Sequence, residues 1–263
     1  MDLSARSVLL TGASGGIGHA VARRLHAAGA RLTLTGRRTE VLEPLAAEVG
    51  ADMVAADLAD RAAVAQLAER CSGIDVLVAN AGLPASGGLF SFGVEEIDRT
   101  LDVNLRAPIV LARLLGEPMV ERGSGHIVLM SSLAGKATSG GASLYSATKF
   151  GLRGFGQALR TDLRGTGVGV SVVFPGFVRD AGMFHDSGAT LPGFVGTSSP
   201  EQVAAAVVDA IVHDRGEVDV APLSMRAGVK VAELAPTAAA AIAHRIGGAR
   251  LAGELSHGQR AKR

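Results

Sequence analysis

Seven short runs rich in valine, leucine and isoleucine recur along the chain: SVLLT (7–11), RLTLTG (31–36), DMVAA (52–56), DVLVA (75–79), HIVLMS (126–131), GVSVVF (169–174) and EVDVA (217–221). Runs this short and this apolar read as strands of a parallel sheet buried on both faces. The stretches between them carry helical spacing. From His19 to Ala28, Ala20, Val21, Arg24, Leu25 and Ala28 fall at helical intervals and Gly29 supplies a stop. The alternation continues through 40–48, 60–70, 95–117, 144–164 and 200–213. Ser199-Pro200-Glu201-Gln202 opens the last of these as a capping box with proline at the first helical position. Strand, helix and strand in strict succession predict an α/β fold: a doubly wound parallel sheet of about seven strands with helices on both faces.

The 263 residues, 48% of them hydrophobic, suit one domain with a substantial core. Residues 1–225 are expected to form it, including a long glycine-dotted loop at 176–199 read as a substrate lid. Residues 226–263 are expected to be a helical tail with Val231, Leu234, Ala238, Ile242 and Ile246 at roughly helical spacing around Pro236, its last residues flexible. A net charge of +1 gives no field to gather nucleic acid. The apolar run near the N-terminus is too short for a signal peptide, and no segment offers a membrane span. Arg226, Lys230, Arg245 and Arg250 raise the possibility of membrane contact by the tail. Its weak apolar face without aromatic anchors reads instead as a packed or partner-facing helix. The single cysteine, Cys71, cannot pair internally, which fits a reducing, cytoplasmic setting. The histidines show no metal-ligand spacing, so no metal is expected.

After the first strand comes Thr11-Gly12-Ala13-Ser14-Gly15-Gly16-Ile17-Gly18. A helix N-terminus here presents unpaired backbone N–H groups, which attract phosphate. Glycine lets the chain turn through positive φ and lets a pyrophosphate approach the backbone. The position, at the first strand–helix junction of a Rossmann-type sheet, points to a dinucleotide, although the spacing Gly12, Gly16, Gly18 differs from the commoner G-x-G-x-x-G. No Lys-Ser or Lys-Thr follows, so a phosphoryl-transfer loop is excluded. The second strand ends in Thr35-Gly36-Arg37-Arg38 where an NAD(H) protein would carry an acid for its ribose. A guanidinium there binds a 2′-phosphate, so Arg37, with Arg38 beside it, favours NADP(H) over NAD(H). The alternative is two solvated arginines heading a helix. Asp57, past the third strand, is placed either to accept from an adenine amino group or to cap a helix.

The only tyrosine, Tyr145, stands four residues before Lys149 in LYSATKFG. That spacing puts both on one helix face. A free phenol is a poor base at neutrality. An adjacent ammonium that lowers its pKa by about three units, equivalent to about 4 kcal/mol, would make it an effective proton exchanger. The fifth strand delivers Ser131 and Ser132 at its C-terminal edge, where open α/β sheets bind ligands, and the intervening chain is long enough to return Tyr145 to that edge.

Taken in order, TGASGGIG at 11–18, Asp57, Asn80-Ala81-Gly82, Asn104, Ser132, Tyr145-Ser146-Ala147-Thr148-Lys149 and Pro175-Gly176 give the chain a resemblance, across nearly its whole length, to the short-chain dehydrogenase/reductase family. The resemblance implies that Tyr145 is the general acid/base, that Ser132 positions a carbonyl, and that Lys149 lowers the tyrosine pKa and bonds the nicotinamide ribose. Asn104 would help hold a water linking Lys149 to solvent. Ser14 and Ile17 would contact the cofactor with Gly12, Gly16 and Gly18, Asn80 would support the turn, and Pro175, Gly176 and Val178 would lie along the nicotinamide. One departure stands out: Asp180 occupies the place of a threonine that often contacts the carboxamide. A homodimer or homotetramer built on the helices at 95–117 and 144–164 is implied as well.

These readings lead to an NADP(H)-dependent oxidoreductase interconverting a ketone and a secondary alcohol. Leu83, Leu89, Phe90, Phe92, Phe177, Met183, Phe184, Leu191 and Phe194 cluster on the candidate walls, which suggests an apolar acyl, lipid-like or polycyclic substrate. The same residues serve equally to anchor loops. The alternatives are a catalytically silent NADP(H)-binding sensor or scaffold, disfavoured by the intact polar set, and a sugar epimerase, which would need a larger C-terminal domain.

Overall fold

A computed structural model describes residues 1–191, 195–243 and 249–260. The expected strands form β1 (Ser7–Thr11), β2 (Arg31–Gly36), β3 (Asp52–Ala55), β4 (Val76–Ala79), β5 (Gly125–Met130), β6 (Val168–Pro175) and β7 (Glu217–Val220). All pairs are parallel, in the order β3-β2-β1-β4-β5-β6-β7. Side chains alternate between the faces as strand geometry requires. On β1, Val8 and Leu10 join one core while Leu9 joins the other. The first core packs α1 (Gly16–Ala27), α2 (Thr39–Val49) and α8 (Pro200–Val212) on the sheet. The second packs α3 (Arg61–Arg70), α5 (Ala107–Glu121) and α6 (Ser143–Asp162) on the opposite face. The order reverses between β1 and β4, and the cleft at that switch point opens over the strands' C-terminal ends.

Three local outcomes depart from the sequence pattern. The edge strand β3 is not buried on both faces: Asp52, Met53 and Ala55 are exposed, because only β2 pairs with it. Residues 95–117 are not one helix. α4 (Val94–Leu101) passes through a π turn at Asp102–Arg106 before α5 begins. Pro108 lacks the N–H that an α-helix would return to the Asn104 carbonyl, and the ladder widens there, with the Ala107 N–H donating to Asp102. The lid contains a short helix, α7 (Gly182–His185), that no periodicity announced.

The capping box forms as expected: Gln202 N–H donates to Ser199 Oγ at 3.3 Å and Ser199 N–H to Gln202 Oε1 at 2.8 Å. Pro236 divides the tail into α9 (Leu223–Leu234) and α10 (Pro236–Ala243), and α11 (Ala249–Gln259) follows. Phe194, Arg245 and Ile246 lie outside the described residues. No helix among the described residues is long and apolar enough to cross a membrane.

Candidate active site

Gly12 turns at φ +66°, and a Cβ there would lie 2.6 Å from the Ala81 Cα. Only glycine therefore lets the end of β4 close against this turn. Asn80 fastens the closure: its Nδ2 donates to the carbonyls of Thr11 and Gly12 at 3.1 and 3.2 Å. Thr11 Oγ1 accepts from the N–H groups of Asn80 and Ala81. α1 then begins without a side-chain cap, so its first N–H groups face the cleft.

A cavity of about 790 Å³ runs from this turn across the sheet edge. Every candidate catalytic and cofactor-binding residue except Asn104 lines it: Gly12, Ser14, Gly16, Ile17, Gly18, Arg37, Arg38, Asp57, Asn80, Ser132, Tyr145, Lys149, Pro175, Gly176 and Val178. Of the apolar residues expected on its walls, Leu83, Phe177, Met183 and Phe184 line it, whereas Leu89 and Phe90 face solvent and Phe92 and Leu191 lie off the cavity. Asn104 stands just behind, fully buried in the π turn. Its Oδ1 accepts from the Leu83 N–H at 2.6 Å and its Nδ2 donates to the Leu83 carbonyl at 2.9 Å, which fixes a wall of the cavity.

At the cavity floor, Ser132 follows β5, donating to the Pro175 carbonyl at 3.3 Å and hydrogen-bonding the Tyr145 hydroxyl. Tyr145 enters in the first turn of α6 and Lys149 one turn later, its Nζ 5.5 Å from the tyrosine ring centre. Ser131 Oγ donates to the Lys149 carbonyl at 2.9 Å. Gly135 permits this contact between the turn after β5 and α6, since a Cβ there would lie 2.6 Å from both of those oxygens.

Burial dominates the electrostatics of the pair. Burial pushes the Tyr145 phenol up to about 12, against the opposing pull of the Ser132 hydrogen bond. Lys149 stands beside it. Its ammonium is itself buried, which brings its pKa down to about 8, and it donates to the Met130 carbonyl at 2.9 Å rather than to the phenol. At neutral pH the pair is thus a protonated phenol beside an ammonium.

The rim is also resolved. Arg38 donates to the Ser14 carbonyl at 2.8 Å and so ties β2 to the glycine turn. Arg37 is exposed on the same rim and makes no ion pair among the described residues. Asp57 pairs with Arg99 at 2.9 Å. Burial alone would raise its pKa, but the Ala59 N–H and Arg99 hold it below the usual carboxylate value. The cap of α3 is Asp60, which accepts from Ala62 and Ala63. Asp180 adopts φ +65°, a conformation aspartate tolerates, and its side chain is 70% exposed beside Arg179. It does not line the cavity. Val178 bridges Ser198 through the Phe177 carbonyl and the Arg179 N–H, so the bridge uses neither polar group of Val178 itself.

The short chain dehydrogenase family matches residues 6–192. The chain belongs to the short-chain dehydrogenase/reductase family. This dehydrogenase/reductase is 40% identical to Ketoacyl reductase HetN from Nostoc sp. over 225 residues, 82% of this chain and 78% of that protein. Among solved structures, a short-chain dehydrogenase from Sphingobium yanoikuyae in complex with NADPH aligns at a TM-score of 0.77 and 29% identity, covering 89% of this chain and 94% of that one. A metagenomic short-chain oxidoreductase in complex with NADP gives 0.71 and 33%, covering 84% and 99%. As a family member the protein is an oxidoreductase acting on CH–OH and C=O groups.

Sequence reasoning missed the opposite wall of the cavity. Met225 and Val229 of α9 and Leu251, Ala252, Leu255 and Gln259 of α11 line it. Only the spacing of Leu251, Leu255 and Gln259 could have signalled a helix face, and two apolar positions are a weak signal. Gly135 was also invisible as a site support, because its role arises from backbone contacts.

Proposed function

We propose that the protein interconverts an uncharged, apolar ketone and its secondary alcohol with NADP(H), Tyr145 acting as the proton donor in reduction. The observation that carries this reading is the Tyr145 hydroxyl, hydrogen-bonded to Ser132, at the floor of a cavity that reaches a glycine turn and an exposed arginine. The residues fit a dinucleotide. The uncapped N-terminus of α1 would take a pyrophosphate, Arg37 a 2′-phosphate, and Asp57 would face the adenine end. Lys149 would meet the nicotinamide ribose, and Pro175, Gly176 and Val178 the nicotinamide. The cofactor, when bound, supplies or accepts the hydride.

The chain's own contribution is proton placement. Ser132 and Tyr145 converge as two donors on one oxygen, so charge that develops there in reduction is met by a preorganised pair. Tyr145 is protonated at neutral pH and gives up its proton; the buried ammonium of Lys149 then stabilises the phenolate left behind. Burial opposes phenolate in the resting site, so near neutrality Tyr145 rests in the protonated form that donation to a ketone oxygen requires. The exposed Leu114 on α5 and Phe150 on α6 support a homodimer or homotetramer through those helices, and a buried lone thiol at Cys71 suits the cytoplasm.

Steady-state oxidation of NADPH against a broad panel of neutral ketones tests the reading. Turnover with NADPH exceeding that with NADH is expected. Silence across the panel, with NADPH bound tightly, would favour a sensor instead.

A further inference from the structure

α11 lies across the cavity rather than trailing from the domain. Leu251, Leu255 and Gln259 stand four residues apart and therefore on one face, and all three line the cavity. Two opposite rims hold the helix down. On the lid side, Gln259 is 4% exposed and donates from Nε2 to the Met183 carbonyl at 3.1 Å. Glu254 accepts from the Thr190 N–H at 3.0 Å. Gly258 packs so closely that a Cβ would lie 2.0 Å from the Ser187 carbonyl oxygen. On the other side, Ala252 sits against Gly141, just ahead of α6, with its Cβ 3.0 Å from where a Cβ on Gly141 would stand.

The residues sharing this end of the cavity are mostly apolar: Phe177, Met183, Phe184, Met225 and Val229 join the two leucines. The charged lining elsewhere is Arg37, Arg38 and Asp57 at the cofactor rim, Lys149 on the floor, and Asp186 of the lid. A substrate carboxylate or phosphate would meet no cation under α11, and Asp186 would repel it. The family match ends at residue 192, ahead of α11.

We infer that Leu251 and Leu255 are specificity-determining residues: α11 is an apolar roof that selects neutral substrates by the length of the hydrocarbon chain extending from the carbonyl. This rests on the ketone and alcohol reading above. Each methylene buried under the roof should tighten binding about fourfold, the equivalent of about 0.8 kcal/mol.

The test is binding of linear methyl ketones of increasing length to the full-length protein saturated with NADP+, where no turnover occurs, with NADPH turnover measured in parallel. In the wild type, Kd should fall about fourfold per methylene until the roof is filled. Leu251→Gln with Leu255→Gln should flatten that gradient while leaving the shortest ketone unchanged. Leu255→Trp, in the opposite sense, should exclude the longest ketones and spare the shortest. A gradient absent from the wild type overturns the inference, as does a uniform loss across all chain lengths in both variants, which would mark α11 as a structural support only. A graded Kd without turnover would leave the roof standing and remove the catalytic reading instead.

Discussion

Asn104 offers a sharp energetic test, because its side chain makes two hydrogen bonds to one backbone unit in a dry place. Asn104→Ala removes the acceptor of the Leu83 N–H and the donor to the Leu83 carbonyl, at 2.6 and 2.9 Å, with the residue fully buried. Each group left unpaired costs about 1–3 kcal/mol. The carbonyl and N–H belong to the same residue, and one wall of that residue faces the cavity, so water can partly satisfy them. The loss should therefore sit near the lower end, at about 2–3 kcal/mol. For a chain of this size that lowers the melting midpoint by about 5–10 °C, read by scanning calorimetry or circular dichroism. Asn104→Asp keeps the volume and the acceptor but turns an anion toward the Leu83 carbonyl, so it should also melt low. Because Leu83 lines the site, kcat/KM should drop at least about tenfold in both. Two variants melting within about 1 °C of the wild type would refute the claim that Leu83 is held by this amide.

Arg37→Glu should weaken NADPH binding by about ten- to a hundredfold while sparing NADH, as followed by nucleotide fluorescence, because only the 2′-phosphate needs the guanidinium. Equal loss of both nucleotides would move the 2′-phosphate site elsewhere. His126 is buried on β5, its Nε2 2.8 Å from Ser171 Oγ, and burial pushes its pKa from 6.5 down to about 4. The unfolded chain binds that proton more readily than the folded one, so stability is whole above pH 6.5 and falls toward pH 4 by about 3 kcal/mol. His126→Gln should flatten that slope in urea titrations, and an unchanged slope would assign the acid sensitivity to other groups. Lys149, brought down to about 8 by burial, should make ketone reduction decline as pH rises through about 8, while Tyr145 still holds its proton. A rate flat well beyond that point would show that the ammonium is not needed.

Much of this architecture was legible in the residues. The inner strands announced themselves because a parallel sheet buried on both faces demands apolar runs, whereas the edge strand β3 is largely exposed and showed only a short one. The glycine turn and the Tyr145–Lys149 pair were legible because their chemistry fixes residue type and spacing. What escaped depends on three-dimensional surroundings. The pKa of Tyr145 is pushed up because burial, which residues remote in sequence create, outweighs the Ser132 hydrogen bond. The π turn follows from Pro108 acting four residues back on Asn104, a ladder defect that an apolar pattern does not encode. α11 has a weak apolar stripe and earns its place through backbone contacts at Ser187 and Thr190.

The central claim is that the Tyr145 hydroxyl delivers the proton. Single-turnover reduction of a good ketone substrate by Tyr145→Phe, with NADPH affinity measured on the same sample, addresses it without intermediaries. The account predicts nucleotide binding within about twofold of the wild type and a rate lower by about a thousandfold or more. A variant that binds NADPH and reduces the ketone at the wild-type rate would contradict it.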